Sequence, residues 1–394
     1  MKLSFLLADR THTMGVNIIR EILKVVSQPG MISLAGGIPA PESFPHQIMM
    51  QLFKNVMEKN GTAAMQYGPT EGFGPLREAL VDHLSLLGVQ SESKEILVAS
   101  GSQGVLDAIG MVLINKGDRV AVEAPTYLGA LQAFKPYEPL FANIEMDDGG
   151  VIPEALEELI VHDKIKFIYL VPTFQNPTGR TLTLDRRKAI ARIIQQHDVL
   201  LVEDDPYSSL RYRGKHLPPI KSMAPEHVIY ISTLSKVFAP GLRIGFFVAP
   251  KVLRKWLVVV KQGIDLHTST LGQALAFEYI NGGYLKDHLP KIIAYYQPRQ
   301  EAMLTAMTRC FPDGFNWSKP EGGMFIWVQG ICGMNMIHIY QKAVEKKVAF
   351  VPGTYFYAKS GQGLETLRLN FTMTDEHTLS KGIEILGEVL SEAQ

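Results

Sequence analysis

Features that direct a chain to a specialised environment are scarce in this sequence. Its two cysteines, Cys310 and Cys332, are too few for a disulfide framework and belong to no Cys-x-x-Cys or Cys/His cluster with metal spacing. We expect both to be reduced packing residues, and we expect no metal site. The N-terminal apolar run stops at Ala8, before Asp9 and Arg10, which is too short for a secretory signal or a membrane span. Cytoplasmic residence is therefore the expectation.

An excess of charge of one sign is also missing. Lys and Arg number 39 together, as do Asp and Glu, so the formal net charge is zero. Nothing therefore favours steering toward nucleic acid or an anionic membrane. With 394 residues, 46% of them hydrophobic, the chain can form one large domain and a smaller one. Small-molecule chemistry without nucleic-acid or membrane partners is the expected class.

Several common catalytic motifs do not occur. The sequence holds no Gly-x-Gly-x-x-Gly after a strand, no P-loop, no Gly-x-Ser-x-Gly elbow and no His-Glu-x-x-His. Dinucleotide chemistry, P-loop phosphoryl transfer, serine hydrolysis of that type and zinc proteolysis are not indicated.

What the sequence does contain, from about residue 95, is an alternation of strands and helices. The strand-like apolar runs are 96–99, 119–122, 166–171, 199–202, 228–231 and 244–248. Residues 103–114, 184–196 and 251–262 have the spacing of helices. Near-continuous apolar strands suit a sheet that is covered on both faces. The pattern predicts an α/β domain with a mostly parallel sheet.

The pattern changes after Tyr295. A helix is followed by the apolar run 322–328 and then by helices around 367–371. We assign residues 51–290 to the large domain and 291–394 to a smaller α+β domain. Residues 1–50 form an N-terminal arm, whose helix 16–26 contributes to the smaller domain.

Chemically active residues follow the predicted strands. Ligands of open α/β sheets bind beyond the carboxyl ends of the strands. The segment after the first run opens a helix whose free N–H groups can receive a phosphate. In chain order the candidates at these ends are Ser102, Gln103, Tyr127, Asn176, Asp204, Tyr207 and Lys236. Each alone is typical of a turn, a helix cap or packing, but five coincident strand ends indicate a site.

The segment after the fifth run concentrates this chemistry. Thr233, Ser235, Lys236 and Arg243 lie within a few residues of one another. A lysine can act as an imine-forming amine, while hydroxyls and a guanidinium can hold a phosphate. The combination indicates an aldehyde cofactor that carries a phosphate.

Three motifs in this order resemble a known family. Asn176-Pro177-Thr178-Gly179, Asp204-x-x-Tyr207 and Ser235-Lys236 with Arg243 are similar to those of the fold-type I pyridoxal-phosphate enzymes, within them the class I/II aminotransferases. The segments 33–39 and 67–72 resemble the branch that contains 2-aminoadipate and kynurenine aminotransferases. The resemblance implies a seven-stranded sheet sandwiched by helices, with pyridoxal 5'-phosphate as cofactor.

The same resemblance implies roles around the cofactor ring. Lys236 would form the imine with the cofactor aldehyde and would carry the proton of the substrate α-carbon. Asp204 would keep the pyridine nitrogen protonated, since a neighbouring carboxylate favours the cationic form. Tyr207 and Asn176 would hydrogen-bond the ring O3′, and Tyr127 would stack on the ring.

The phosphate and the assembly follow in the same way. The implied phosphate ligands are Ser102, Gln103, Thr233, Ser235 and Arg243. In the family a tyrosine of the neighbouring subunit also reaches the phosphate, and Tyr67 matches its position. A homodimer with shared sites is thus implied.

Four residues are candidates for substrate binding. Arg368, between apolar neighbours, can grip the substrate α-carboxylate with its planar fork. Gly37 would let the backbone approach the substrate, and Asn176 would contact it. Arg20 matches an arginine that can reach the distal group of the substrate; alternatively it is a solvated residue of an amphipathic helix. The first arrangement favours an acidic side chain on the substrate, and the second favours aromatic or aliphatic ones.

The implied activity is the transfer of an amino group from an L-amino acid (2-aminoadipate, glutamate, aromatic, or branched or aliphatic) to a 2-oxo acid. The exchange would be ping-pong, with 2-oxoglutarate as the acceptor. A β-lyase or a decarboxylase would use the same Lys236 and Asp204, so product analysis has to separate these alternatives. A non-catalytic effector domain would need a further basic N-terminal domain, which we do not expect before Met31.

Overall fold

The computed structural model describes residues 6–12, 14, 22 and 24–394. We number the α-helices of this part α1 (His46–Met65), α2 (Gly74–Leu86), α3 (Ser102–Leu113), α4 (Leu128–Phe134), α5 (Pro153–His162), α6 (Leu184–Gln196), α7 (Lys251–Asp265), α8 (Thr270–Asn281), α9 (Tyr284–Cys310), α10 (Met336–Glu345) and α11 (Glu376–Ser391). The strands are β1 (Ile32–Ser33), β2 (Ile96–Ala99), β3 (Arg119–Glu123), β4 (Leu140–Ile144), β5 (Met146–Asp147), β6 (Gly150–Val151), β7 (Ile165–Leu170), β8 (Leu201–Asp205), β9 (Val228–Thr233), β10 (Gly245–Val248), β11 (Asn316–Trp317), β12 (Phe325–Gln329), β13 (Val348–Ala349), β14 (Val351–Pro352) and β15 (Thr366–Asn370).

Seven strands form the large sheet, in the order β2-β10-β9-β8-β7-β3-β4. The neighbours from β9 to β4 pair in parallel, and β10 is antiparallel to both β9 and β2. The predicted α/β fold with a mostly parallel, seven-stranded sheet is therefore confirmed. The position of β10, antiparallel between β2 and β9, depends on the sheet topology, which local sequence patterns do not encode.

Both faces of this sheet are covered. On β7, Ile168 packs in a cluster with Ile190 and Ile194 of α6, whereas Phe167 and Tyr169 pack in the main core with Phe134 of α4. Successive strand residues point to opposite faces, so an apolar run without polar breaks is what a covered strand needs. The carboxyl ends of the strands, which carry the candidate site residues, are thereby held in place from both sides.

Two strands of the large sheet differ most from the prediction. β8 starts at Leu201 rather than at 199, and it ends at Asp205, so Glu203, Asp204 and Asp205 lie inside the strand. The three acids are typical of a loop, but here their carboxylates have buried hydrogen-bond donors. β4 was not predicted because it is an edge strand with a mixed burial pattern.

A four-stranded sheet, β11-β12-β15-β14, is built from the C-terminal part of the chain. The segment 367–371, around which helices were expected, is itself largely strand β15, with α10 before it and α11 after it. β1 pairs with β13, which ties the N-terminal segment to this part. The predicted boundary at 291 falls inside α9, and the division into domains stays a prediction.

Three further expectations concern single segments. Most of the predicted helix 16–26, including Arg20, lies outside the described residues. Cys310 and Cys332 are both free thiols, but Cys332 is exposed, so its assignment as a packing residue was wrong. In the part of the chain that the structure describes, no helix is long and apolar enough to cross a membrane.

Candidate active site

A short helical turn after β9 carries Lys236. Thr233 starts the turn Leu234–Lys236, since its side chain accepts a hydrogen bond from the Ser235 N–H. The Lys236 Nζ donates to the Gly37 carbonyl oxygen at 2.9 Å. Burial, followed by the charges of Arg368 and Arg243, lowers the pKa of Lys236 to about 8. This amine is therefore neutral, and nucleophilic, in a much larger fraction of molecules at neutral pH than an exposed lysine.

Asp204 is buried at the end of β8 with one oxygen occupied and the other free. The Tyr169 hydroxyl donates to its Oδ2 at 2.8 Å, while its Oδ1 has no partner in the described structure. Burial raises the pKa of Asp204 to about 7, a rise that the Tyr169 hydrogen bond opposes and the charge of Asp205 adds to. A buried oxygen without a donor is costly unless a ligand supplies one. A protonated pyridine nitrogen is a donor of the required kind, so this carboxylate fits pyridoxal phosphate.

Two aromatic hydroxyls and one amide face the same region. Tyr207 is 4% exposed, hydrogen-bonds the Asn176 side chain and packs edge-on against Phe325 at 5.8 Å. Burial raises the pKa of Tyr207 well above its ordinary value and that of Tyr127 to about 12, so both keep their protons. Tyr127 caps the start of α4 and is partly buried. These hydroxyls can donate to a cofactor oxygen.

The start of α3 forms a cradle with Arg243. Gly101 has φ +80°, and a Cβ added there would run into the Arg243 guanidinium. Ser102 and Gln103 are the first residues of α3, whose free N–H groups point out of the helix end. The Arg243 Nη2 lies 3.5 Å from the Ser100 carbonyl oxygen and is exposed. Helix end and guanidinium together suit a phosphate.

The predicted hydroxyls of this cradle differ in availability. The Thr233 hydroxyl donates to the Ile244 carbonyl oxygen at 2.9 Å and lies 2.9 Å from the Ser235 hydroxyl. Because its proton is already committed, Thr233 orients Ser235 rather than donating outward. In the 2.9 Å contact the Ser235 hydroxyl is then the donor, so it has to turn away from Thr233 to donate to a phosphate.

Arg368 lies buried on β15, 2% exposed. Its Nη1 donates to Asn176 Oδ1 at 2.8 Å and its Nη2 to the Ala35 carbonyl oxygen at 2.7 Å. The guanidinium also lies over the rings of Phe325 and Phe356, at 4.3 and 4.9 Å from their centroids.

This cation lacks an anionic partner. Among the described ion pairs none includes Arg368, and its Nε has no acceptor. Burial lowers the pKa of Arg368 to about 10, yet the guanidinium is still charged at pH 7. A buried cation in this state can be balanced by a bound carboxylate. Gly37 lies beside it, with its Cβ position 3.9 Å from the Arg368 Nη2.

The structure thus brings together Gly37, Asn176, Tyr207, Lys236 and Arg368 by direct contacts. Tyr67 is different: it is 79% exposed and packs edge-on against His267 at 5.7 Å. No described hydrogen bond joins its ring to the rest of the group.

Three contact residues were missed by sequence reasoning, namely Tyr169, Phe325 and Phe356. All three lie in apolar surroundings and look like ordinary core residues in the sequence. Among residues 6–12, 14, 22 and 24–394 there is no group of three or more His, Cys, Asp or Glu side chains that could hold a metal ion.

Comparison with known proteins gives one family and many relatives. A family model described as "Aminotransferase class I and II" matches residues 31–385. The chain is 47% identical over 393 residues to the aromatic-amino-acid aminotransferase 1 of Thermococcus litoralis, covering 98% of this chain and 94% of that protein.

Two solved structures share the fold over nearly the whole chain. The kynurenine aminotransferase of Pyrococcus horikoshii, in complex with PMP, kynurenine and its product, superimposes with a TM-score of 0.95 at 43% identity, over 99% of this chain and 98% of that one. The α-aminoadipate aminotransferase of Thermus thermophilus, complexed with N-(5'-phosphopyridoxyl)-L-leucine, gives a TM-score of 0.92 at 36% identity, over 100% and 99%. The predicted resemblance to the branch with 2-aminoadipate and kynurenine enzymes is confirmed.

Proposed function

The chain belongs to the class I and II aminotransferases, pyridoxal-phosphate enzymes that transfer amino groups, and on that premise we propose roles for its site residues, a substrate range and an assembly. The cofactor, when bound, supplies an aldehyde that takes up the amino group and a ring that withdraws electrons. One observation carries the roles. The amine of Lys236, without a carboxylate partner in the described chain, lies near Arg368, and Tyr207 interacts with both Arg368 and Asp204, whose Oδ1 is free.

Lys236 and Asp204 divide the proton chemistry. With a pKa of about 8, Lys236 would react with the cofactor aldehyde as a neutral amine, and the same amine would carry the proton of the substrate α-carbon. The Asp204 Oδ1 accepts the ring N–H and keeps that nitrogen protonated. Tyr207 and Asn176 would donate to the ring oxygen, and the Tyr127 ring would pack on the cofactor ring.

Binding of the cofactor phosphate falls to the cradle at the start of α3. The N–H groups of Ser102 and Gln103, the Ser235 hydroxyl and the Arg243 guanidinium are its donors, with Thr233 holding Ser235 in place. Arg368 receives the substrate α-carboxylate beside Gly37, supported by Asn176 on its Nη1. This carboxylate supplies the counter-charge that the protein lacks there.

For the substrates we infer an aromatic or large aliphatic L-amino acid as donor and 2-oxoglutarate as acceptor, in a ping-pong exchange. The support is what the names of the relatives print: an aromatic-amino-acid aminotransferase, a kynurenine aminotransferase, and an α-aminoadipate aminotransferase complexed with N-(5'-phosphopyridoxyl)-L-leucine. Arg20 lies outside the described residues, so its contact with a distal carboxylate stays a prediction.

A donor panel tests this range. Purified enzyme is supplied with 2-oxoglutarate and phenylalanine, kynurenine, leucine, 2-aminoadipate or alanine, and glutamate is quantified against the 2-oxo product. We expect one glutamate per oxo acid and the highest kcat/KM for an aromatic or large aliphatic donor. A preference for alanine would reject the range, and product without glutamate would indicate lyase or decarboxylase chemistry. If Arg20 reads a distal carboxylate, Arg20→Ala weakens 2-aminoadipate more than leucine.

We further propose a homodimer in which Tyr67 reaches the phosphate of the neighbouring site. Tyr67 and Met65 are exposed, and so are Val252, Trp256 and Val259, which share one face of α7. The Thr270 hydroxyl donates to the carbonyl oxygens of Ala64 and Gln66, which joins the Tyr67 loop to the segment after α7. Exposed apolar surface of this extent is typical of a protein interface.

A charge placed on this face tests the dimer. Val259→Glu should shift sedimentation velocity toward a monomer and weaken pyridoxal-phosphate binding. Val161→Glu, at another exposed valine, on α5, is the matched control and should change neither. A wild-type protein that sediments as a monomer would refute the proposal. The cytoplasmic location expected from the sequence stays a prediction.

A further inference from the structure

Two buried tyrosines flank β8 in equivalent positions. In the parallel register Tyr169 of β7 lies beside Val202, and Tyr230 of β9 lies beside Glu203. Each is therefore two strand positions before an aspartate of β8 on the same face, since side chains alternate along a strand. Both tyrosines are fully buried. The sheet thus provides two copies of one arrangement, one on each face.

Each tyrosine hydroxyl donates a hydrogen bond of the same length to its aspartate. The Tyr169 hydroxyl lies 2.8 Å from Asp204 Oδ2, and the Tyr230 hydroxyl lies 2.8 Å from Asp205 Oδ2. The second oxygens differ. Asp205 Oδ1 accepts the Ser208 N–H at 3.1 Å, whereas Asp204 Oδ1 has no donor in the described chain. The protein thus supplies donors to both oxygens of Asp205, but to only one oxygen of Asp204.

The Tyr169 side chain is itself held in place. The ring of Phe134 on α4 packs edge-on against it at 6.0 Å. Burial and the charge of Asp204 hold the pKa of Tyr169 well above its ordinary value, so the hydroxyl stays a donor. A fixed phenol on Oδ2 restricts rotation of the carboxylate and so decides where Oδ1 points.

Among residues 6–12, 14, 22 and 24–394 no cation affects the charge state of Asp204. The ionisable groups that interact with it are Glu123 on β3, Tyr127 at the start of α4, Tyr169 on β7, Asp205 on β8 and Tyr207 beyond β8. Within the described residues Tyr169 is its one hydrogen-bond donor. Loss of this donor makes the carboxylate more basic, because hydrogen bonds to the charged form favour it.

We propose that Tyr169 is a positioning residue, which fixes the Asp204 carboxylate through Oδ2 so that Oδ1 faces the pyridine nitrogen and leaves the proton on that nitrogen. The inference rests on the proposed role of Asp204. Tyr169, which otherwise looks like a core residue of the strand, would thereby influence the protonation of the cofactor ring.

The test compares Tyr169→Phe with the matched control Tyr230→Phe. Both variants lose one hydroxyl from one buried tyrosine–aspartate pair of the same sheet, so both should lose similar thermal stability. The apoenzymes are titrated with pyridoxal phosphate labelled with ¹⁵N in the ring. Binding affinity and the ¹⁵N chemical shift of the bound ring are measured, followed by kcat and KM for the amino donor.

For Tyr169→Phe we expect the ¹⁵N shift to move toward the unprotonated pyridine and cofactor affinity to fall about tenfold, as for a lost hydrogen bond to a charged group. We also expect kcat to fall more than KM rises, since Tyr169 does not touch the substrate. Tyr230→Phe should keep the wild-type shift, affinity and kcat. Equal values for the two variants would overturn the proposal.

Two further variants complete the design. Asp204→Asn should displace the ¹⁵N shift further than Tyr169→Phe. If Asp204→Asn leaves the shift unchanged, the role of Asp204 fails; if only Tyr169→Phe leaves it unchanged, the present inference alone fails. Should Tyr169→Phe not fold, 3,5-difluorotyrosine at position 169 gives a stronger donor of nearly the same shape, and the shift should then move toward the pyridinium. An unchanged or opposite shift would contradict the proposal.

Discussion

The two sides of the large sheet around β8 carry the same kinds of polar residue, but their hydrogen bonds are complete on one side and incomplete on the other. Behind the sheet, Arg187 is 1% exposed and uses all three nitrogens, donating to the carbonyl oxygens of Leu182, Pro218 and Pro172 and to the Thr173 hydroxyl. On the cleft side Arg368 is equally buried but leaves its Nε without an acceptor.

The lysines and aspartates repeat this contrast. Lys221 donates to the carbonyl oxygens of Pro225 and Val228, at 2.6 and 2.8 Å, whereas Lys236 has one such contact. Burial lowers the pKa of both lysines to about 8. Both carboxylate oxygens of Asp205 have hydrogen-bond donors, whereas Asp204 Oδ1 has none in the described chain. Burial and pKa therefore do not separate the members of these pairs, whereas their unused hydrogen-bonding capacity does.

The largest expected effect comes from the lysine pair. Lys236→Ala should lower the amino-transfer rate by about 10⁴-fold or more, because it removes both the nucleophile and the proton carrier. Lys221→Met should keep the activity of the folded enzyme within about threefold and lower the free energy of unfolding by about 1–3 kcal/mol, because two carbonyl groups lose their donor. Single-turnover kinetics and urea unfolding measure the two effects. Similar activity losses in the two variants would contradict the distinction between a catalytic Lys236 and a structural Lys221.

The arginine pair should give the next largest effect. Arg368→Lys should lower kcat/KM about a hundredfold, mainly through KM, because an ammonium cannot form the two parallel hydrogen bonds of the fork. Arg187→Lys should instead lower the free energy of unfolding by about 2–3 kcal/mol, since it leaves carbonyl oxygens unpaired, with KM changed less than about threefold. A KM increase of similar size in Arg187→Lys would argue against a substrate role that is special to Arg368.

A pH effect distinguishes the two lysines in the unmodified chain. A lysine reacts as the neutral amine, so with a pKa of about 8 the labelling of Lys236 by acetic anhydride should rise about tenfold between pH 7 and pH 9. Lys221 is 5% exposed with its amine bound to carbonyl groups, and it should stay unlabelled throughout. Peptide mass spectrometry of the apoenzyme measures both. A midpoint for Lys236 near the ordinary lysine value would contradict the described environment.

The smallest effect concerns the two ends of α3. Gly101, on the cleft side, and Gly117, beyond the other end, both have positive φ, at +80° and +87°. Alanine at either should lower the free energy of unfolding by about 1 kcal/mol. Only Gly101→Ala should also weaken cofactor binding, by about fivefold, because its Cβ displaces Arg243, whereas nothing lies within 4 Å of a Cβ at Gly117. Equal cofactor affinities in the two variants would contradict the proposal that Arg243 binds the cofactor phosphate.

The sequence predicted those parts of the fold that depend on local pattern. The bounds of β2 and α6 agree with their apolar runs, and the strand ends carry the predicted site residues. β8 was misplaced because Glu203, Asp204 and Asp205 look like a loop until Tyr169, Tyr230 and the Ile220 N–H supply their donors. Those donors are distant in sequence, so no local rule reveals them.

The same limit explains what was missed in the site. Lys236, Asp204 and Arg368 could be proposed because their motifs carry recognisable chemistry. Tyr169 could not, since an aromatic residue in an apolar strand is ordinary, and its partner lies 35 residues away in the chain. Which of two buried residues of one kind is left with unused hydrogen-bonding capacity is a property of the folded structure alone.

The most direct test of this account is the identity of the lysine that binds the cofactor. The holoenzyme is reduced with borohydride and digested, and the phosphopyridoxyl group is located by mass spectrometry. We expect one modified residue, Lys236, with Lys221 unmodified although burial lowers both pKa values to about 8. Modification of Lys221 or of another lysine in place of Lys236, or no modified lysine at all, would contradict it.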